Sequence, residues 1–219
     1  MLQRNTNFSC KQFNNTINDT QKTFIMKQLK ILTASLLTLL IITFTQCKKP
    51  KTNPVDELPP ETQTGANTFG CLVDGQAFKP GGASLSGGSL QCNYQYLGNG
   101  AGGGYYFILI GRSLNSSAGS GRLVGIFTDS LMILEGGRYS LKSRIKLNAS
   151  ANFSSFSSPA TPIKNHLTDG IGNKGEIWIK KLDLINQIVS GTFWFDAFDS
   201  TNNKKVKVRE GRFDMRYTR

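Results

Sequence analysis

The most regular alternation of apolar and polar positions lies in the last third of the chain. In Glu176-Ile177-Trp178-Ile179-Lys180 the two isoleucines fall on one side of an extended segment, and Glu176, Trp178 and Lys180 fall on the other. Thr192-Phe193-Trp194-Phe195-Asp196 repeats the arrangement with phenylalanines, and Lys205-Val206-Lys207-Val208-Arg209 with valines. A period of two belongs to a strand with one buried face. Beyond Arg209 the apolar parity switches from Val206 and Val208 to Phe213, Met215 and Tyr217. One extra residue near Glu210-Gly211 restores inward facing, so a β-bulge is predicted there. The three segments predict an antiparallel meander with one solvated face.

Shorter apolar runs separated by Gly, Ser and Asn fill the region upstream. Residues 68–73 and 76–79 flank Asp74-Gly75, a dipeptide that favours the type I′ turn of a hairpin. Residues 105–110 (YYFILI) are apolar at every position, as in a central strand covered on both sides. Residues 122–128 and 138–147 continue the series, whereas 150–166, serine-rich with Pro159 and Pro162, predicts a long loop. From residue 67 onward no stretch carries a helical apolar stripe through three turns. The expectation is an all-β domain over 67–219, an antiparallel β-sandwich or small β-barrel of about eight to ten strands.

The N-terminal pattern is different. Residues 1–25 are polar and Asn-rich, and read as an over-long start ahead of Met26; a disordered tail is the alternative. From Met26, Lys27 and Lys30 precede an uncharged apolar run at 31–44, followed by Thr45-Gln46-Cys47. A run of 14 residues suits a secretory signal over 26–46, since a membrane-spanning helix needs about 20. Residues 47–66 hold four prolines and several charges without an apolar run, and predict a disordered tether.

Phe44-Thr45-Gln46-Cys47 resembles a bacterial lipobox, with Gln46 where a small residue is usual. The resemblance implies lipid attachment at Cys47 and a membrane partner through that anchor. An ordinary signal peptide beside a cysteine and a retained membrane helix are the alternatives. No acidic cluster follows Cys47. In Bacteroidetes-type lipoproteins such a cluster is associated with surface display, so the expected location is the outer membrane, facing the periplasm.

Residues 47–219 carry 21 Lys and Arg against 13 Asp and Glu, a balance that permits attraction to anionic surfaces or acidic glycans. Export makes nucleic acid a poor partner. Cys71 and Cys92 have two readings in an oxidising compartment: a disulfide or two buried free thiols. Gly98, Gly100 and Gly103 form a formal G-x-G-x-x-G, but an apolar extended segment follows where a phosphate site needs a helix. His166 is the single histidine and is read as a solvated loop residue. Neither a catalytic constellation nor a metal set emerges, and no cofactor is expected beyond covalent lipid on Cys47. Asp196, Asp199, Glu210 and Asp214 are carboxylates that a glycosidase pair would draw on. Trp178 and Trp194, both on polar-patterned faces, are candidates for stacking on a glycan or anchoring an envelope protein; core burial under a covering layer is the alternative. The Lys205, Lys207 and Arg209 row reads as an anion-facing surface, a solvated face or an edge guard.

Residues 67–78 (NTFGCLVDGQAF), followed by Ser190-Gly191-Thr192-Phe193 and Glu210-Gly211-Arg212-Phe213-Asp214, resemble a family of small uncharacterised Bacteroidetes-type lipoproteins with a C-terminal β-domain of unknown function. The resemblance implies a secreted β-domain on a lipid anchor and carries no activity or ligand. The expected role is a non-catalytic binding or accessory module of the cell envelope. A glycan-active hydrolase and a structural or assembly partner are the alternatives.

Overall fold

The structure is a computed structural model that describes residues 22, 24–33, 53–82, 88–98, 103–158, 160–169, 174–199, 201 and 204–219. The chain divides into two units, Met1–Lys51 and Thr52–Arg219. In the first, residues 24–33 are helical and exposed, while Cys47 lies outside the described residues. No helix among the described residues is long and apolar enough to cross a membrane.

The second unit is all-β. Among the described residues its eleven strands are β1 (Thr68–Val73), β2 (Gln76–Phe78), β3 (Leu90–Leu97), β4 (Gly104–Asn115), β5 (Ser120–Asp129), β6 (Arg138–Ser140), β7 (Asn148–Phe156), β8 (Lys164–Leu167), β9 (Gly175–Asp183), β10 (Ile188–Asp199) and β11 (Lys204–Arg216). They pair antiparallel in one unclosed sheet ordered β2-β1-β11-β10-β8-β7-β5-β4-β3, with β9 also on β10 and β6 on β9. Strands remote in this order meet across the interior. Phe107 of β4 lies 6.4 Å from Phe213 of β11, and Tyr94 of β3 lies 5.8 Å from Tyr217. Curling of the sheet gathers one core, which includes Cys71, Phe78, Leu109, Ile126, Ile179 and Phe195. The shape is therefore an open roll, between a sandwich and a barrel.

The hairpin between β1 and β2 turns at Asp74 (φ 49°) and Gly75 (φ 79°), both left-handed as a type I′ turn requires. The meander β9-β10-β11 forms with Ile177, Ile179, Phe193, Phe195, Val206 and Val208 buried. The bulge is also present. Phe193 faces Gly211 and Phe195 faces Val208, so Arg209 and Glu210 share one place opposite Trp194, with Glu210 at φ 53°.

Three expectations need correction. Residues 150–166 are not a loop: β7 and β8 form a hairpin whose inward positions are Ala149, Ala151, Phe153 and His166. Small inward side chains between serines gave the segment low hydrophobicity, and that hid its period. Residues 138–147 contribute only the three residues of β6. Ile145 and Leu147 point to solvent, and Leu147 takes φ 64° to turn the chain into β7. The strand at 105–110 is not covered on both sides: β4 lies next to the edge strand β3, and of these six residues only Phe107, Leu109 and Ile110 are buried.

The tether is also shorter than 47–66 over the described residues. Pro54–Glu57 forms one 3-10 turn capped by Asn53, and Leu58 is buried. Residues 62–66 then wrap the Asp214 carboxylate, which is fully buried. Thr62 Oγ1 donates to it at 2.6 Å, Thr64 N at 2.9 Å, Gly65 N at 2.7 Å and Ala66 N at 3.2 Å. Burial alone raises the Asp214 carboxyl, but these donors outweigh it and hold the group below the usual carboxylate range. A segment too polar to form a core is thus docked by satisfying one buried charge.

Candidate functional site

Tyrosines from distant parts of the sequence meet at one end of the roll. Tyr96 pairs with Tyr105 and Tyr94 with Phe107 across β3 and β4, so all four share the inward side. Tyr105 stacks on Tyr94 at 5.5 Å and takes the edge of Tyr96 at 5.2 Å. Tyr217, just past β11, meets Tyr94 edge-on. Its position is fixed because Thr218 N donates to Cys92 O at 3.1 Å and Tyr94 N donates to Thr218 O at 2.9 Å.

The opposite wall is the loop between β5 and β6. Ile133 is fully buried and its carbonyl accepts the Tyr94 hydroxyl at 3.2 Å, whereas Met132 and Leu134 stand at the rim. The loop is pinned at two points: Leu134 N donates to Tyr139 Oη at 2.8 Å, and Leu182 N donates to Glu135 Oε2 at 3.0 Å. Leu184, from the turn between β9 and β10, and Arg219 complete a cavity of about 630 Å³. Arg219 is oriented by donation to Leu184 O at 2.5 Å. This volume lies within the range of about 300–1,000 Å³ typical of small-molecule pockets.

The polar groups here are mostly phenolic. Burial pushes the Tyr94 hydroxyl up to about 12, despite the opposing effect of the Ile133 carbonyl bond, so it stays a neutral donor. Tyr217 is 2% exposed, and its buried hydroxyl has no hydrogen-bond partner among the described residues. A buried unpaired hydroxyl costs about 1–3 kcal/mol. Aromatic walls with hydroxyls hold and orient a ligand by packing and hydrogen bonding.

These tyrosines escaped sequence reasoning. The available signal was parity: Tyr94 and Tyr96 on β3 and Tyr105 on β4 fall on one face in the antiparallel register. The formal G-x-G-x-x-G at Gly98, Gly100 and Gly103 lies between these two strands. It joins β3 to β4 with no helix after it.

The residues singled out from sequence lie elsewhere. Trp178 and Trp194 occupy the outer side of β9 and β10, diagonal to one another, since Trp178 pairs with Thr192 and Trp194 with Glu176. Cations lie over both indoles: Arg138 at 4.0 Å and Lys180 at 4.9 Å on Trp178, Arg209 at 5.3 Å on Trp194. Trp194 is 37% exposed and borders a cleft of about 570 Å³ with Glu61, Glu176 and Arg209.

The carboxylates are separately engaged. Asp214 holds residues 62–66, and Asp196 pairs with Lys205 at 2.9 Å and Arg209 at 2.6 Å. Burial raises Asp196, and those two cations bring it below the usual range. Asp199 accepts from Thr201 N, while Glu210 reaches Arg212 at 3.7 Å. The basic row on β11 guards no edge, because β1 and β10 flank that strand. His166 is not a solvated loop residue: it is 4% exposed on β8, beside Phe153, and its Nδ1 has no partner among the described residues. Cys71 and Cys92 are buried free thiols, and burial pushes both far above their ordinary range. No group of three or more His, Cys, Asp or Glu able to hold a metal ion occurs among the described residues.

Comparison with known proteins is sparse. No curated protein and no solved structure matches the chain. A family model described as "Domain of unknown function (DUF6252)" matches residues 128–215, a span from the end of β5 to near the end of β11.

Proposed function

We propose that this protein is a non-catalytic, lipid-anchored binding module of the cell envelope, which takes a small, largely apolar ligand into the tyrosine-lined cavity. One observation carries the ligand site: Tyr94, Tyr96, Tyr105 and Tyr217, brought together from distant parts of the sequence, line a cavity of about 630 Å³. The anchor rests on residues 26–47, whose apolar run is too short to span a bilayer and ends at Cys47. Lack of an acidic cluster after Cys47 supports an outer-membrane position facing the periplasm.

The site is tested with N-phenyl-1-naphthylamine, a probe that fluoresces when taken from water into an apolar pocket. Uptake by the mature protein, reduced about tenfold or more by Leu134→Asp at the exposed rim, is the expected result. No uptake, or uptake indifferent to Leu134→Asp, rejects the cavity as the site. Mass spectrometry of the mature N-terminus tests the anchor: a diacylated Cys47 is expected, and an intact 1–46 segment without acyl mass rejects it.

A second reading places a glycan or envelope protein against Trp194 and its cleft, and the exposure of that indole favours it. Stacking there must displace Arg209 from the ring. Glycan-array binding that disappears in Trp194→Ala supports this reading, and binding retained in full removes it.

A further inference from the structure

The inward face of the sheet changes character at the end opposite the tyrosines. Register pairs Ser113 of β4 with Arg122 of β5, Arg122 with Ser155 of β7, and Ser155 with Lys164 of β8. Directly paired residues share a face, so these four form one polar row across four strands. Two residues deeper, the same face carries buried Val124, Phe153 and His166, which places the row at the margin of the core. Arg122 and Lys164 sit two strands apart, roughly 10 Å at the backbone, within reach of a common ligand for two such long side chains.

Among the described residues, no carboxylate pairs with Arg122 or Lys164, although six other basic side chains, those of Lys79, Arg138, Lys180, Lys205, Arg209 and Arg212, are paired with Glu57, Glu176, Glu61, Asp196 or Glu210. Arg122 instead lays its guanidinium over Phe78, 5.5 Å from the ring centre, which holds its stem in place. The four residues border a cavity of about 430 Å³, with Phe156 and Pro162 as its apolar wall.

We propose that this cavity binds a small organic oxyanion, a phosphate or sulfate ester on a sugar-sized body. The guanidinium and ammonium supply charge-assisted hydrogen bonds to the anionic oxygens, the serine hydroxyls supply further donors, and the volume exceeds what a bare ion fills. Phe156 and Pro162 offer the ester's carbon skeleton an apolar surface. This site is separate from the tyrosine cavity.

Calorimetric titration of the mature protein with glucose 6-phosphate, glucose 6-sulfate, inorganic phosphate and glucose tests the assignment. At least one ester is expected to bind, glucose is not, and Lys164→Gln should weaken the ester about tenfold. Arg122→Gln should do the same, but Arg122 also packs on Phe78, so exposed Lys164 provides the decisive variant. Lys207→Gln, on β11, and Leu134→Asp, at the tyrosine cavity, should leave ester binding unchanged. Absence of ester binding, equal binding of glucose, or Lys164→Gln titrating like the wild type overturns the site. Inorganic phosphate binding as tightly as the esters overturns the sugar-sized part of it.

Discussion

Asp214 shows how a single side chain organises a segment that has no core of its own. Its carboxylate accepts from Thr62, Thr64, Gly65 and Ala66. Replacing it with Ala leaves several donors unsatisfied, and a loss of about 3 kcal/mol is expected in urea unfolding. The folded pKa lies below the unfolded value of about 3.9. The contribution is therefore complete above that value and is lost as pH falls through the folded pKa. Stability of the wild type and of Asp214→Asn should accordingly converge in acid and diverge toward neutrality. A difference that stays constant from pH 2 to pH 7 contradicts the assignment. Cys71 and Cys92 make a second residue-scale case. Their buried, protonated thiols should resist iodoacetamide in the native protein and react in urea, as peptide mass spectrometry can count.

At the scale of elements, alternation was legible wherever large apolar residues carried it. The meander formed as read because Ile177, Ile179, Phe193 and Phe195 cannot face water without losing about 1.5–3 kcal/mol each. Even the bulge could be placed, since a parity switch has few other solutions. The β7–β8 hairpin was missed because its period is written in alanines, and the docking of residues 62–66 because its partner lies about 150 residues later. The bulge also yields a prediction. A Cβ on Gly211 meets Phe193 ring carbons at 2.5 Å, so Gly211→Ala should destabilise by about 1–3 kcal/mol. Glu210→Gly, relieving a left-handed residue (φ 53°), should be neutral or stabilising by up to about 1 kcal/mol. Denaturant midpoints of the two variants check the pair, and a stabilised Gly211→Ala contradicts it.

For the whole molecule, curling of an unclosed sheet matters more than any one motif. It brings Tyr217 beside Tyr94 and joins distant strands around one core, with phenols at one end and Arg122 and Lys164 at the other. Local patterns identify strands and faces but not which strands meet when a sheet folds over, so the tryptophans stood out in the sequence and the tyrosines did not. Trp178→Ala should remove the surface that Arg138 and Lys180 cover and lower stability by about 1 kcal/mol, while leaving uptake of the naphthylamine probe intact. The central claim, a ligand in the tyrosine cavity, is met most directly by native mass spectrometry of the protein purified from its native cells. A non-covalent small-molecule adduct present in the wild type and missing from Leu134→Asp is the predicted spectrum. Bare protein in both, or the same adduct in both, contradicts the account.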